Sequence, residues 1–397
     1  MLVLVLSTQA AAQGPPIPPS FQDLHADLAT TIEAFAGSLP PATERSPVVF
    51  STELSHADAN RLEELLGPTS LVGAVLAVNR LADAGVEAVT VNISYPMLYP
   101  PFHGASGEYW RYLAFYKTVA SAARQRGLKL IVKSGALLGT ELRLATFYRS
   151  VETVEEYKAG RLDVATTIVR EIAPDYLTLQ AEPDVEESQT GQPVGSVEGA
   201  YDLVSHLVAG LWARGAFTAS LGAGAGTWHD DFYELAQRQL GLPGLSYLDV
   251  HLYPINRDFL WRALIVADAA HLAGKDIAMS ETWLYKVRDA ELPLSGSLFT
   301  ELLSRDAFSF WEPLDRRFVE VLTRLAVSKR FAFISLFWSK YFFSYLDYDE
   351  TFFFAPDQLL TLSQLASTQA MLAGRLTGTG QTYQALIWLH SLLEGGH

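Results

Sequence analysis

The feature that most constrains the fold is a repeated unit: a short β-rich run, a turn, then an amphipathic helix, eight times over. The β-rich runs are 47–54 (PVVFSTEL), 86–95 (VEAVTVNISY), 128–137 (LKLIVKSGAL), 175–183 (DYLTLQAEP), 217–226 (FTASLGAGAG), 245–254 (LSYLDVHLYP), 275–283 (KDIAMSETW) and 331–340 (FAFISLFWSK). Helical patterns between them close on Gly85, Gly127, Gly215 and Gly274, the residue type that most easily takes the left-handed conformation of a helix C-terminal cap. Strands separated by helices pair in parallel, because a parallel partner needs a crossover. Eight such units of about 40 residues predict an α/β fold, a (β/α)8 TIM barrel forming one domain. A doubly wound open sheet would carry a Gly-rich phosphate turn after its first strand, and STELSHAD at 51–58 has no Gly. The GAGAGTW segment at 222–228 lacks that spacing too, and is expected to be a tight turn where backbone approaches backbone.

With 397 residues, 49% of them hydrophobic, the chain can fill a large core. A net charge of −15 without any Lys/Arg run argues against a nucleic-acid partner. The absence of Cys excludes disulfides, thiol catalysis and thiolate metal sites. The opening MLVLVLSTQAAAQGPPIPP couples an apolar run to small residues, Ala10 and Ala12, like the end of a secretory signal peptide short of its basic start. Residues 1–20 are therefore expected to be a signal-peptide remnant and Pro-rich leader, residues 21–397 a catalytic barrel, and the location extracellular or periplasmic. No later segment has about 18 uncharged apolar residues, so no membrane span is expected.

The loops are asymmetric. Helix-to-strand joints such as ADAGVEAV, RQRGLKL and LAGKDIA are brief, whereas 284–314 and the aromatic 339–358 are long strand-to-helix connections. In a barrel all strand-to-helix loops gather on the face that carries the active site. Alternation within the strands then orients side chains. In the fourth run Thr178, Gln180 and Glu182 oppose Leu177, Leu179 and Ala181; the helical shell takes the leucines, so Glu182 faces the barrel axis at its rim. Asp249, His251 and Tyr253 point inward on the sixth run, Thr90, Asn92 and Ser94 on the second, and Lys133 on the third. The seventh run is less regular, with Glu281 sharing parity with Ile277 and Met279, and Glu281 is placed by its position at the strand end. Strands four and seven thus aim two carboxyl groups across the barrel mouth. Such a pair about 5–5.5 Å apart suits double displacement at an acetal centre, one group protonated toward the leaving oxygen and the other ionised toward the anomeric carbon. Like charges at that range push their pKa values apart, which permits the division.

Through QAEPD (180–184), HLYP (251–254), SETW (280–283) and LFWSK (336–340), in that order, the chain resembles the clan A glycoside hydrolases over about residues 47–390. The resemblance implies retaining hydrolysis of β-glycosidic bonds in an oligo- or polysaccharide, with no metal or organic cofactor. It implies Glu182 as acid/base, Glu281 as nucleophile, Tyr253 as a hydrogen-bond donor to the nucleophile with His251 beside it, and Trp338 as a floor under the sugar. Asn92 and Trp283 complete the expected substrate-binding set. Trp283, like Trp228, Tyr95 and Tyr99, sits at or after a strand end, where a ring can stack on the apolar face of a sugar. The clan usually has Asn directly before the acid/base, binding the sugar 2-hydroxyl, and this chain has Ala181. Either Asn92 or Gln180 supplies that contact, or the substrate differs there, or catalysis is impaired. Glu53 is a further carboxylate in the region, able to take either role. The alternatives are a carbohydrate-binding barrel without turnover and a lyase or aldolase forming a Schiff base on Lys133, whose bland role is pairing with a rim carboxylate. His56 beyond the first strand, without HExxH, makes no metal motif.

Overall fold

All eight β-rich runs form strands: β1 (Val49–Glu53), β2 (Ala88–Asn92), β3 (Lys129–Lys133), β4 (Tyr176–Thr178), β5 (Ser220–Gly226), β6 (Tyr247–Leu252), β7 (Asp276–Thr282) and β8 (Phe333–Leu336). The structure, a computed structural model, describes residues 14–40, 47–292 and 297–393, so residues 1–13 of the expected leader lie outside it. Each strand pairs in parallel with the next, and β8 closes on β1, giving the (β/α)8 TIM barrel. Gly85, Gly127, Gly215 and Gly274 all lie at positive φ, where they were expected to end helices. Two long helices, one before the first strand and one at the end of the described chain, were not anticipated. Gln22–Ser38 buries Leu24, Leu28, Ile32 and Phe35, spaced along one helical face, and its Glu33 takes two bonds from Arg317, at 2.6 and 2.9 Å. The second is Gly378–Leu393. No helix among the described residues is long and apolar enough to cross a membrane.

The barrel interior is layered. At the bottom, Val49, Ala88, Ile131, Tyr247, Ala278 and Phe333 form an apolar plug with Tyr176 against it. Above it the layer turns polar: Ser51 and Thr90 hydroxyls bond at 2.9 Å, and Thr178 donates to Asp249 at 2.6 Å. Outward-facing Val89, Val91, Leu177, Leu179, Val250 and Leu252 join the core between barrel and helices, as alternation requires. The GAGAG segment is not a turn but β5 itself. A Cβ on Gly222 would overlap the Tyr247 ring, and one on Gly224 the Asp249 backbone, so the glycines let β6 press into the interior.

Strand β7 carries a bulge. Asp249 pairs with Ala278 and His251 with Glu281, so an advance of two residues on β6 meets three on β7. Ala278 and Ser280 therefore face inward while Ile277 and Met279 enter the outer core, and the extra residue turns Glu281 inward as well.

Candidate active site

The upper layer gathers the polar residues predicted at the rim. Glu182 sits directly before the helix Pro183–Thr190, at its N-cap. Its backbone is located from below by Arg161, a fully buried guanidinium that bonds the Ser134 carbonyl at 2.8 Å and the Leu179 carbonyl, and pairs with Glu186 on that helix. Tyr157 and Gln180 also donate to Glu186, Gln180 at 3.0 Å. The ends of β3 and β4 and the start of the helix are thus tied to one buried cation.

A chain of hydrogen bonds then runs across the site. Asp249, fully buried, accepts from the Ser280 backbone N–H at 2.8 Å, from the Thr178 hydroxyl and from the Ser280 hydroxyl. With its proton committed to Asp249, the Ser280 oxygen accepts from His251 Nε2 at 2.9 Å. Nδ1 of His251 faces Glu182 Oε1 at 2.8 Å. The tautomer is therefore fixed with a proton on Nε2, and His251 and Glu182 share one further proton between Nδ1 and Oε1. Burial raises the Glu182 pKa above the usual carboxylate range, against the pull of His251, and the nearby Glu281 and Asp184 charges push the same way as burial. His251 is also raised: burial lowers it, but the Glu281 charge and the bond to Glu182 outweigh that.

Glu281 is held differently. Tyr253 donates to its Oε1, and the Lys133 ammonium contacts Oε2. Burial pushes this carboxyl upward, but the charges of Lys133 and His251 and the bonds from Lys133 and Tyr253 reverse the effect, leaving it below the usual range. One possible ligand atom each of Glu182, His251 and Glu281 lies within 4.8 Å of the others, so the two carboxyl groups face one small volume. Both carboxylates keep some exposure, 23% for the Glu182 side chain and 13% for Glu281. These three residues offer enough donor atoms for a cation, yet both Glu281 oxygens are already engaged, one of them by an ammonium.

Aromatic side chains line the approach. Tyr253 stacks on Tyr285 with centroids 4.4 Å apart, and Phe337 meets Tyr253 edge-on at 5.5 Å. Lys133 Nζ stands 5.2 Å over the Phe337 ring. Trp228, 6.0 Å from Tyr253, donates its indole N–H to Asp184 at 3.1 Å.

Of the residues singled out in the sequence, Glu182, Glu281, His251 and Tyr253 meet in one place. Asn92 is engaged at both ends of its amide, donating to Asp58 at 2.9 Å and accepting from Ser94. Gln180 is fully buried against Glu186 and Val194 and cannot replace the missing Asn beside Ala181. Trp283 is a correction: it is 1% exposed and stacks on Tyr341 with centroids 5.7 Å apart, packing beneath the loops instead of facing a ligand. Trp338 is half-buried beside Phe337 at 4.5 Å, and it is Phe337 that reaches Tyr253 and Lys133. Alternation from Phe333 through Ser335 points to Phe337, a signal that the LFWSK motif obscured. Ser280, hidden by the bulge, was missed, as was Asp58. Glu53 is 1% exposed and lies behind Lys133, with Nζ 3.8 Å away, so it does not front the cleft. Lys133 takes its bland role. Burial lowers its pKa, but Glu281 and Glu53 more than offset this and keep it charged, which withholds the lone pair a Schiff base needs.

No protein-family model and no curated protein matches the sequence. Among solved structures the chain is similar to GH5_18 from Bifidobacterium longum subsp. longum in complex with Manβ1-4GlcNAc, at 14% identity over 86% of this chain and 78% of that one, with a TM-score of 0.53. It is similar to GH5_18 from Streptomyces cattleya in complex with GlcNAc, at 13% identity over 87% and 81%, TM-score 0.51. It is also similar to the exo-β-1,4-mannosidase Op5Man5 from Opitutaceae bacterium strain TAV5, at 12% identity and TM-score 0.53, where 87% of this chain spans 60% of that one. At such identities the likeness concerns the fold. The barrel is similar to those of clan A glycoside hydrolases, and no single family within the clan is singled out.

Proposed function

We propose that the protein is a retaining β-glycoside hydrolase acting on an oligo- or polysaccharide. The observation that carries this reading is the pair Glu182 and Glu281, close together at the barrel mouth with their pKa values displaced in opposite directions. In the first step Glu281 attacks the anomeric carbon while Glu182 passes its proton to the departing oxygen. In the second, Glu182 takes a proton from water, which displaces Glu281 from the anomeric carbon. Lys133 and Tyr253 keep the nucleophile ionised and aimed, and the shared proton with His251 keeps Glu182 ready to donate. Tyr285, Phe337 and Trp228 supply aromatic faces for sugar rings.

The test is a panel of p-nitrophenyl β-glycosides and β-linked oligosaccharides, with the anomer of the first product followed by NMR. Retained configuration is expected; inverted product overturns the mechanism. Glu182→Ala should lose about 10²–10⁴-fold on substrates with poor leaving groups and much less on activated ones. Azide should then restore turnover as the β-glycosyl azide. Ala181 favours a second reading, since a methyl cannot donate the transition-state bond to a 2-hydroxyl: a barrel that binds glycan with little turnover. Affinity without release of reducing ends, unchanged in Glu182→Gln, would support that reading instead.

A further inference from the structure

Lys133 has two acidic neighbours and is hydrogen-bonded to one of them. Its ammonium touches Glu281 Oε2, and Glu53 Oε1 lies 3.8 Å from it on the other side. The Lys133 side chain is 8% exposed and Glu53 only 2%, so water is a poor substitute partner for either. Glu53 Oε1 has no hydrogen-bond partner at all, a costly state for a buried acceptor. Among the described residues, these two carboxyls are the acidic groups within 4.0 Å of Nζ.

The proposed chemistry changes this arrangement once per turnover. When Glu281 bonds to the anomeric carbon its charge disappears, and the ammonium beside it loses the group that held it. A buried cation left so is strongly disfavoured. We propose that Glu53 is a standby partner for Lys133: the ammonium holds Glu281 in the free enzyme and swings to the idle Glu53 oxygen while Glu281 is a glycosyl ester. The exchange is one hydrogen bond for another; no proton is transferred, and the ammonium returns when water regenerates Glu281. The Glu53 oxygen offers the idle acceptor that this exchange needs. Burial drives its pKa well up, with Lys133 pulling only partly against it. Lys133 and Glu53 are on this account positioning residues, acting through Glu281. The inference rests on the hydrolase reading, in which Glu281 is the nucleophile.

The experiment uses Glu281→Gln, which removes the charge as esterification does. A crystal structure of this variant should show Lys133 Nζ at hydrogen-bonding distance from Glu53 Oε1, about 3 Å. An ammonium still on residue 281, or directed elsewhere, overturns the proposal whatever the kinetics show. In the second arm, wild type, Glu53→Leu and Glu53→Gln are treated with 2,4-dinitrophenyl 2-deoxy-2-fluoro-β-glycosides of the mannose, glucose and galactose series. Glu53→Leu should form the glycosyl-enzyme at least about tenfold more slowly, yet release it faster, because the ester state is the one destabilised. Glu53→Gln, which keeps an acceptor, should fall between Leu and wild type. A merely structural role would slow both steps together, and that result also overturns the proposal. Movement of Lys133 in Glu281→Gln without any labelling of wild type would defeat the hydrolase reading alone.

Discussion

Two glutamates of the same intrinsic acidity stand within one small site and are driven apart by what touches them. Glu182 meets an imidazole whose other nitrogen is already committed to Ser280, whereas Glu281 meets an ammonium and a phenol. Under the proposed mechanism the rate is expected to show a bell-shaped dependence on pH. The acid limb follows ionisation of Glu281, which lies below the usual carboxylate value, and the alkaline limb follows loss of the Glu182 proton, which lies above it. Because the groups interact, each limb belongs to the pair as a whole. Lys133→Met deletes the cation that favours ionised Glu281, so the acid limb of kcat/KM should move up by about one pH unit or more. An unmoved limb would show that Lys133 does not tune Glu281.

At the scale of single elements, the placement of Glu182 depends on the buried Arg161–Glu186 pair that ties β3, β4 and the following helix together. Arg161→Leu would leave Glu186 without its counter-ion in the interior, and should cost about 3–5 kcal/mol in urea unfolding. Replacing both partners by apolar residues should recover part of that loss. Elements also decide what the sequence could disclose. Strands β2, β4 and β6 were legible because they put apolar residues toward the helices and polar ones toward the axis, so Asn92, Glu182, His251 and Tyr253 could be oriented by counting. Counting is a weaker guide past the last regular residue of a strand: Gln180, two beyond Thr178 at the end of β4, turns to Glu186, whereas Glu182, two further on, does reach His251. It fails in β7, where strict alternation assigns Glu281 and Ser280 to opposite sides while the bulge brings both inward. Trp283 misled because an aromatic after a strand can serve a ligand or a loop core equally well, and only burial separates the two. The helix Gln22–Ser38 was passed over because nothing in the repeat calls for it.

Across the whole molecule, the two longest strand-to-helix connections are fastened over a buried cluster. Lys286, just after β7, pairs with Asp315 and lies 3.3 Å from Asp306, while Tyr345 from the loop after β8 donates to Asp315 at 3.1 Å. Burial, with each Asp also feeling the charges around it, raises Asp306 to about 7 and Asp315 to about 6, against a partial offset from Lys286. Both values exceed the ordinary 3.8 of an unfolded chain. Between pH 3.8 and about 7 the folded state holds protons that the unfolded state has released, so the contribution of this cluster to stability falls as pH rises through that window. Asp306→Asn removes the larger of the two effects. It should raise stability at pH 8 by at least about 1 kcal/mol relative to wild type, with the advantage shrinking toward pH 5. Chemical denaturation at the two pH values checks this, and an advantage that grows on acidification would contradict it.

The skipped register of β7 is felt by both of its neighbours, since pairing with β8 is irregular over the same residues. Deleting the Ser280 codon, the one residue between Met279 and Glu281, would restore an even zigzag that still turns Glu281 to the axis but would remove the hydroxyl that links Asp249 to His251. One extra amino acid of strand length is thus what lets two consecutive polar side chains, Ser280 and Glu281, both look into the barrel.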